Sequence, residues 1–141
     1  PLLVLWFGYG WGSKVVMASV ITFFPVAVNV LDGLRPDPDM MRLFTALGAS
    51  KRQALLWLKL PGAVPALFSG LKVAASVATI AAVIGEWVGA RAGLGYLMMQ
   101  ANAQLRVPLV FASLVWLSAM GLALYGLVAF LERCLSWRSS R

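Results

Sequence analysis

The chain has 141 residues, 61% apolar and only 12% charged, with a mean hydropathy of +0.84. An ordinary soluble domain is about 45–50% apolar and about 25% charged; so large an excess cannot be hidden inside so short a chain, and lipid must cover part of it. Lys and Arg number 12 against 5 Asp and Glu, without His, which excludes nucleic-acid binding less by its sign than by its setting: basic residues gather on the cytoplasmic loops of membrane proteins, whereas nucleic-acid patches sit on soluble, polar faces.

Pro1–Gly12 is apolar at once, with no charged leader region and no cleavage site. It does not read as a signal peptide. It reads as the tail of an earlier membrane segment, and the chain as the C-terminal part of a longer protein. A bilayer-crossing helix needs about 20 mostly apolar residues. Val15 to Leu31 carries no charge, and Asp32-Gly33 with Arg35-Pro36 ends it. Pro25 should kink that span, which a membrane bundle tolerates. Asn29, four residues on, is expected to bond a neighbouring helix or to line a pathway. A polar loop, 32–61, follows. The second span, 62–85, is apolar except for Lys72, whose ammonium either snorkels to an interface or serves as a functional buried charge. The third, 107–131, carries no charge. Ala74, Ala78 and Ala82, with Gly85 and Gly89 beyond, predict a bare packing face on the second span.

Loop 32–61 holds Arg35, Arg42, Lys51, Arg52 and Lys59, and the tail holds Arg133, Arg138 and Arg141. The interval between the second and third spans holds only Arg91 and Arg106. The bias puts the first loop and the tail in the cytoplasm. Two spans join them, as two same-side segments require. The fold class is therefore all-α: a polytopic membrane helical bundle forming one domain, 1–141, with a cytoplasmic loop at 32–61.

That loop has internal structure. Asp37-Pro38-Asp39 reads as a helix start, with Pro in the first turn and acids near the positive end of the helix dipole. Met40, Leu43, Phe44 and Leu47 form a stripe at helical spacing. Gly48 sits where a left-handed residue closes a helix. Ser50-Lys51-Arg52-Gln53 fits a capping box that opens a second helix. That helix runs through Leu55 and Leu58 to Lys59, and Pro61 is expected to bend the chain toward the membrane. Lys51 and Arg52 lie at the helix end where cations are disfavoured. They serve either the topological bias or a docking surface for an acidic or phosphate-bearing partner, with the apolar stripe supplying buried anchors.

These residues resemble the EAA loop of permease subunits of ATP-binding-cassette importers. In that family a Gly is followed, after nine residues, by an aliphatic residue, any residue, then Leu-Pro; here these are Gly48, Leu58, Lys59, Leu60 and Pro61. The Glu-Ala-Ala positions are Arg42, Leu43 and Phe44, a departure that removes any salt bridge the Glu makes in relatives. Phe23-Phe24-Pro25, Ser69-Gly70-Leu71-Lys72, Gly85-Glu86-Trp87-Val88-Gly89-Ala90 and Gly93-Leu94-Gly95-Tyr96-Leu97 resemble the branch importing sulfonates, taurine, nitrate and pyrimidine precursors of thiamine, and Gly-Glu-Trp-Val-Gly the last of these. The resemblance implies a coupling loop (Arg42, Leu43, Phe44, Leu47, Gly48, Ala49, Ser50, Lys51, Arg52, Leu58, Leu60, Pro61) seated on a cytoplasmic ATPase subunit. It further implies an extracytoplasmic substrate-binding protein, a second permease copy and a plasma (inner) membrane location in bacteria. A short outer helix after Gly95 would face the translocation route.

Glu86, Trp87, Gly93 and Gly95, with Asn29, are the pathway and gate candidates; Glu86 as a solvated interfacial carboxylate, and Trp87 and Tyr96 as interface anchors, are the plainer alternatives. The chain has no G-x-x-x-x-G-K-[ST] loop to cradle ATP. The lone Cys134, the lack of His and the few carboxylates supply no catalytic set, disulfide or metal site, and no cofactor is expected. Half of an ion-coupled secondary transporter is the rival class, but it would place acids at mid-membrane, and here they flank the spans.

Overall fold

The computed structural model describes residues 2–8 and 10–136; Pro1, Arg138 and Arg141 lie outside them. Every regular element among the described residues is helical: α1 (Leu2–Phe7), α2 (Trp11–Gly33), α3 (Pro38–Ala46), α4 (Lys51–Ala54), α5 (Leu60–Trp87), α6 (Leu94–Ala103) and α7 (Val107–Ser136). Three stretches are long and apolar enough to cross a membrane: Trp11–Gly33, Lys51–Trp87 and Val107–Leu135.

The packing is inside-out relative to a soluble domain. The buried positions are small: Ala54, Ala63, Ala74, Ala81, Ala90, Ala101, Ser13 and Ser113. Large side chains such as Phe23, Phe24, Trp116, Leu122 and Phe130 point outward. Lipid is as apolar as Leu, so burying bulk between helices gains little there; small residues win because they let backbones approach.

α2 and α5 form the main helix pair. A methyl group on Gly33 would strike Ala66, one on Gly70 would lie 2.9 Å from the Val26 Cα, and one on Gly85 would touch Lys14 at 3.7 Å. Each step toward the end of α2 meets a step toward the start of α5, so the pair is antiparallel along its whole length. The expected bare face is partly corrected. Ala74 and Gly85 are buried with Ala63, Gly70 and Ala81, but Ala78 is half-buried and Ala82 exposed. A strict spacing of four drifts about 40° per step around a helix with 100° per residue. Steps of seven and four stay on one face, and those link the residues that are buried.

α2 runs through Pro25 without a break. The chain does not leave the helix at Pro61 either. α4 passes into five residues of π-helix, Leu55–Lys59, and then into α5, with Pro61 in the first turn of α5. A proline ring clashes with the carbonyl four residues back and cannot bond to it, and a wider π turn relieves that conflict. Lys51–Trp87 is therefore one helical path of 37 residues, about 55 Å long at 1.5 Å per residue. The hydrocarbon core is about 30 Å thick. One end must project, and the end bearing Lys51, Arg52 and Lys59 is the polar one.

Candidate functional site

The loop between the first two spans is built by local rules. Asp37 caps α3, its carboxylate accepting the Asp39 N–H at 3.1 Å, with Pro38 next. At the other end the Gly48 N–H donates to the Thr45 carbonyl and the Ala49 N–H to the Phe44 carbonyl, both at 3.0 Å. This pair of bonds needs a left-handed residue, and Gly48 has φ +73°. Two residues later the capping box forms in full: the Ser50 N–H donates to Gln53 Oε1 at 2.8 Å, and the Gln53 N–H to Ser50 Oγ at 3.3 Å. The chain thus leaves α3 at Leu47, turns through Gly48–Ser50 and enters the long helix that ends at Trp87.

α3 is not packed into the bundle. Met40, Leu43 and Leu47 of its stripe are 50%, 53% and 75% exposed, and Phe44 is half-buried. Arg42 reaches back to Asp39 at 3.5 Å in an exposed pair. Lys51 and Arg52 are exposed and, among the described residues, have no acidic partner. Leu58 is half-buried in the π turn, while Leu60 and Pro61 stay exposed at the start of α5.

At the opposite end of the bundle the structure brings Glu86, Trp87, Gly93 and Gly95 together. Gly93 sits before α6 with φ +137° and offers that helix no cap of its own. Glu86, in the last turn of α5, supplies it: Oε2 accepts the Gly95 N–H at 2.5 Å and the Tyr96 N–H at 3.4 Å. These are the second and third residues of α6, the donors that an N-cap side chain would satisfy. A methyl group on Gly93 would fall on the Glu86 carboxylate, and one on Gly95 would lie 3.1 Å from the Val83 backbone. Both glycines make room for the carboxylate and the close approach of α5. Trp87 Nε1 donates to the Gly95 carbonyl at 3.1 Å, a second tie to α6.

Asn29 is elsewhere. Its Nδ2 donates to the Pro25 carbonyl of its own helix at 2.8 Å, with its Cβ against Gly70. This replaces the expected interhelical bond. Ser69 does the same to the Pro65 carbonyl at 3.1 Å, four residues back. Lys72 has a partner in the bundle: its Nζ pairs with Glu132 of α7 at 2.7 Å, the side chains being 21% and 25% exposed. Side chains on a helix lean toward its N-terminus. Lys72 and Glu132 lie on antiparallel helices and so lean toward each other.

The composition, the three long apolar helices and the Gly48 turn delivering chain into the second of them narrow the comparison to membrane transport components. A family model described as "Binding-protein-dependent transport system inner membrane component" matches residues 1–137. The chain belongs to that family. It is 49% identical over 138 residues to a probable ABC transporter permease protein of Haemophilus influenzae, covering 97% of this chain and 56% of that one. It is 40% identical to the formylaminopyrimidine transport permease protein ThiX of Halalkalibacterium halodurans, covering 100% and 57% respectively. It is 39% identical to the riboflavin transport system permease protein RibX of Chloroflexus aurantiacus, covering 99% and 53%. The chain thus spans about half the length of these curated relatives. No solved structure gives a significant match. Membership in an ABC transporter permease family agrees with the all-α membrane bundle, and the family is one of inner-membrane components.

Within this family member, sequence reasoning missed a cavity of about 640 Å³ between α5, α6 and α7. Trp87 and Tyr125 line it, with Ser76, Thr79 and Ser118 as its few polar groups. Thr79 Oγ1 is buried and, among the described residues, has no hydrogen-bond partner. No single-span pattern signals this open pocket, because three helices supply its walls.

Proposed function

We propose that the chain is the passive, membrane-embedded part of an ATP-driven importer. ATP hydrolysis belongs to a separate cytoplasmic ATPase subunit, an extracytoplasmic binding protein delivers the solute, and a second copy completes the pathway. The observation that carries this reading is the pairing of an apolar stripe left outside the bundle with a glycine turn leading into one unbroken helical path. Met40, Leu43 and Leu47 would seat in the ATPase. Displacement of Gly48–Ser50 would then pass along Lys51–Trp87 to the Glu86 cap and α6. Such switching needs two packings of rigid helices and no chemistry in this chain. Arg42, Leu43 and Phe44 keep the helix while replacing all three residues of the EAA pattern, so the acid and both small side chains are lost.

The solute we favour is a nitrogen heterocycle, in first place a pyrimidine precursor of thiamine. The names of the 40% and 39% identical relatives support that class. More distant relatives are named for aliphatic sulfonates and taurine, at 31% and 34% identity, so sulfonates are the second reading. Membership in the binding-protein-dependent family speaks against the ion-coupled class.

The test uses the whole transporter in proteoliposomes. Leu43→Asp and Gly48→Val should each abolish ATP-dependent uptake, with Leu43→Asp also losing the ATPase on pull-down while the protein stays in the membrane. Normal uptake by both variants would overturn the assignment of this loop to coupling. Labelled pyrimidine and ethanesulfonate in the same vesicles separate the two solute readings.

A further inference from the structure

A pocket of about 660 Å³ lies where the start of α2 meets the turn after α5. Gly10, Trp11 and Lys14 line one side, and Gly89, Arg91 and Ala92 the other. It is at the end of the bundle opposite α3 and α4, because α2 and α5 each run from one end to the other. Among the described residues neither Lys14 nor Arg91 has an acidic partner. The Lys14 ammonium lies 5.7 Å from the centre of the Trp11 ring, and its stem packs on Gly85. The one carboxylate close in sequence, Glu86, is engaged by the backbone amides of α6.

Two cations therefore line one concavity, and among the described residues no carboxylate pairs with either. Membrane proteins concentrate Lys and Arg at the cytoplasmic end. With the Lys51–Arg52 end inside, Lys14 and Arg91 stand where that bias disfavours cations, so topology does not account for them. Like charges sharing a pocket repel. An anion between them removes the repulsion and gains charge-assisted hydrogen bonds, for which the guanidinium offers a planar fork. Gly89 and Gly93, on either side of Arg91, take φ +136° and +137°, which fixes the path of the turn that presents it.

We infer that Lys14 and Arg91 form an oxyanion-binding site at the extracytoplasmic mouth of the bundle, for a phosphate, sulfonate or carboxylate group. The group comes either from a dissolved anion or from the phosphate of an outer-leaflet lipid. The site is distinct from the coupling loop, and binding at it needs neither ATP nor the favoured solute.

The experiment uses the intact transporter carrying Ala92→Cys in a Cys134→Ser background, with an environment-sensitive fluorophore attached to the introduced thiol. In dodecyl maltoside micelles, which contain no phosphate, sodium phosphate or ethanesulfonate added at constant ionic strength should give a saturable signal. The double substitution Lys14→Gln, Arg91→Gln should weaken apparent affinity at least tenfold, and Lys14→Arg should largely preserve it. If the soluble anions give no signal but vesicles of phosphatidylglycerol give a shift that the double substitution abolishes, the lipid phosphate is the occupant. A signal unchanged by the double substitution, or none with either source, would overturn the site. Retention of the ATPase on purification of each variant shows that folding survived, and keeps this outcome separate from failure of the coupling reading.

Discussion

A methyl group at position 93 would land on the Glu86 carboxylate, and the backbone there is one that side-chain-bearing residues seldom adopt. Gly93→Ala should therefore destabilise the junction by about 1–3 kcal/mol, seen as a lower unfolding temperature in detergent. Glu86 gives a sharper contrast. As a cap, Glu86→Ala should cost about 1–2 kcal/mol, while Glu86→Gln keeps an acceptor and should recover much of that. A charged gate would make Gln as damaging as Ala to transport, so uptake and stability measured on the same variants separate cap from gate. The spacing of Gly93 and Gly95 marked this region in the sequence. The partner that explains both glycines was hidden, because Glu86 meets α6 only through the fold of the intervening turn.

At the scale of elements, the α2–α5 seam is set by what is missing from it. Gly70→Val would press on the Val26 backbone, where a Cβ already lies at 2.9 Å, and should cost about 1–3 kcal/mol. Gly126→Ala on α7, with nothing within 4 Å of the added carbon, should be stabilising by up to about 1 kcal/mol through helix propensity. Thermal unfolding of the two variants side by side checks the seam. The Lys72–Glu132 pair ties α5 to α7. Lys72→Met alone leaves a largely covered carboxylate unpaired and should cost about 1–3 kcal/mol, below the figure for a fully buried pair because a fifth to a quarter of each side chain stays exposed. Lys72→Met with Glu132→Leu should recover most of the loss, the coupling being read from a double-mutant cycle. Additive losses would show that the pair contributes nothing of its own. The sequence left a snorkelling and a functionally buried lysine both open; its partner was hidden because it lies 60 positions away, on a helix whose placement no local pattern encodes.

For the whole molecule, the consequence of one path from Lys51 to Trp87 is that its two ends should respond together. Reversing the charges of Lys51 and Arg52 should weaken retention of the ATPase at least several-fold without changing membrane insertion. Unchanged pull-down would leave those residues to topology alone. Three helices long and apolar enough to cross a membrane, the Asp37 and Ser50 caps and the turn at Gly48 were legible in the sequence. Each depends on hydrophobic length or on hydrogen bonds within a few residues, so the pattern of residues suffices to set it. The unbroken helix through Pro61 was not legible, since whether a proline ends a helix depends on how the preceding turn widens. Nor were the true packing face of α5, the Glu86 cap, the Lys72–Glu132 pair or the pocket that Lys14 and Arg91 share. Those depend on which surfaces meet when antiparallel helices settle at close range, a choice made by the shape of the whole bundle and by no single segment of it.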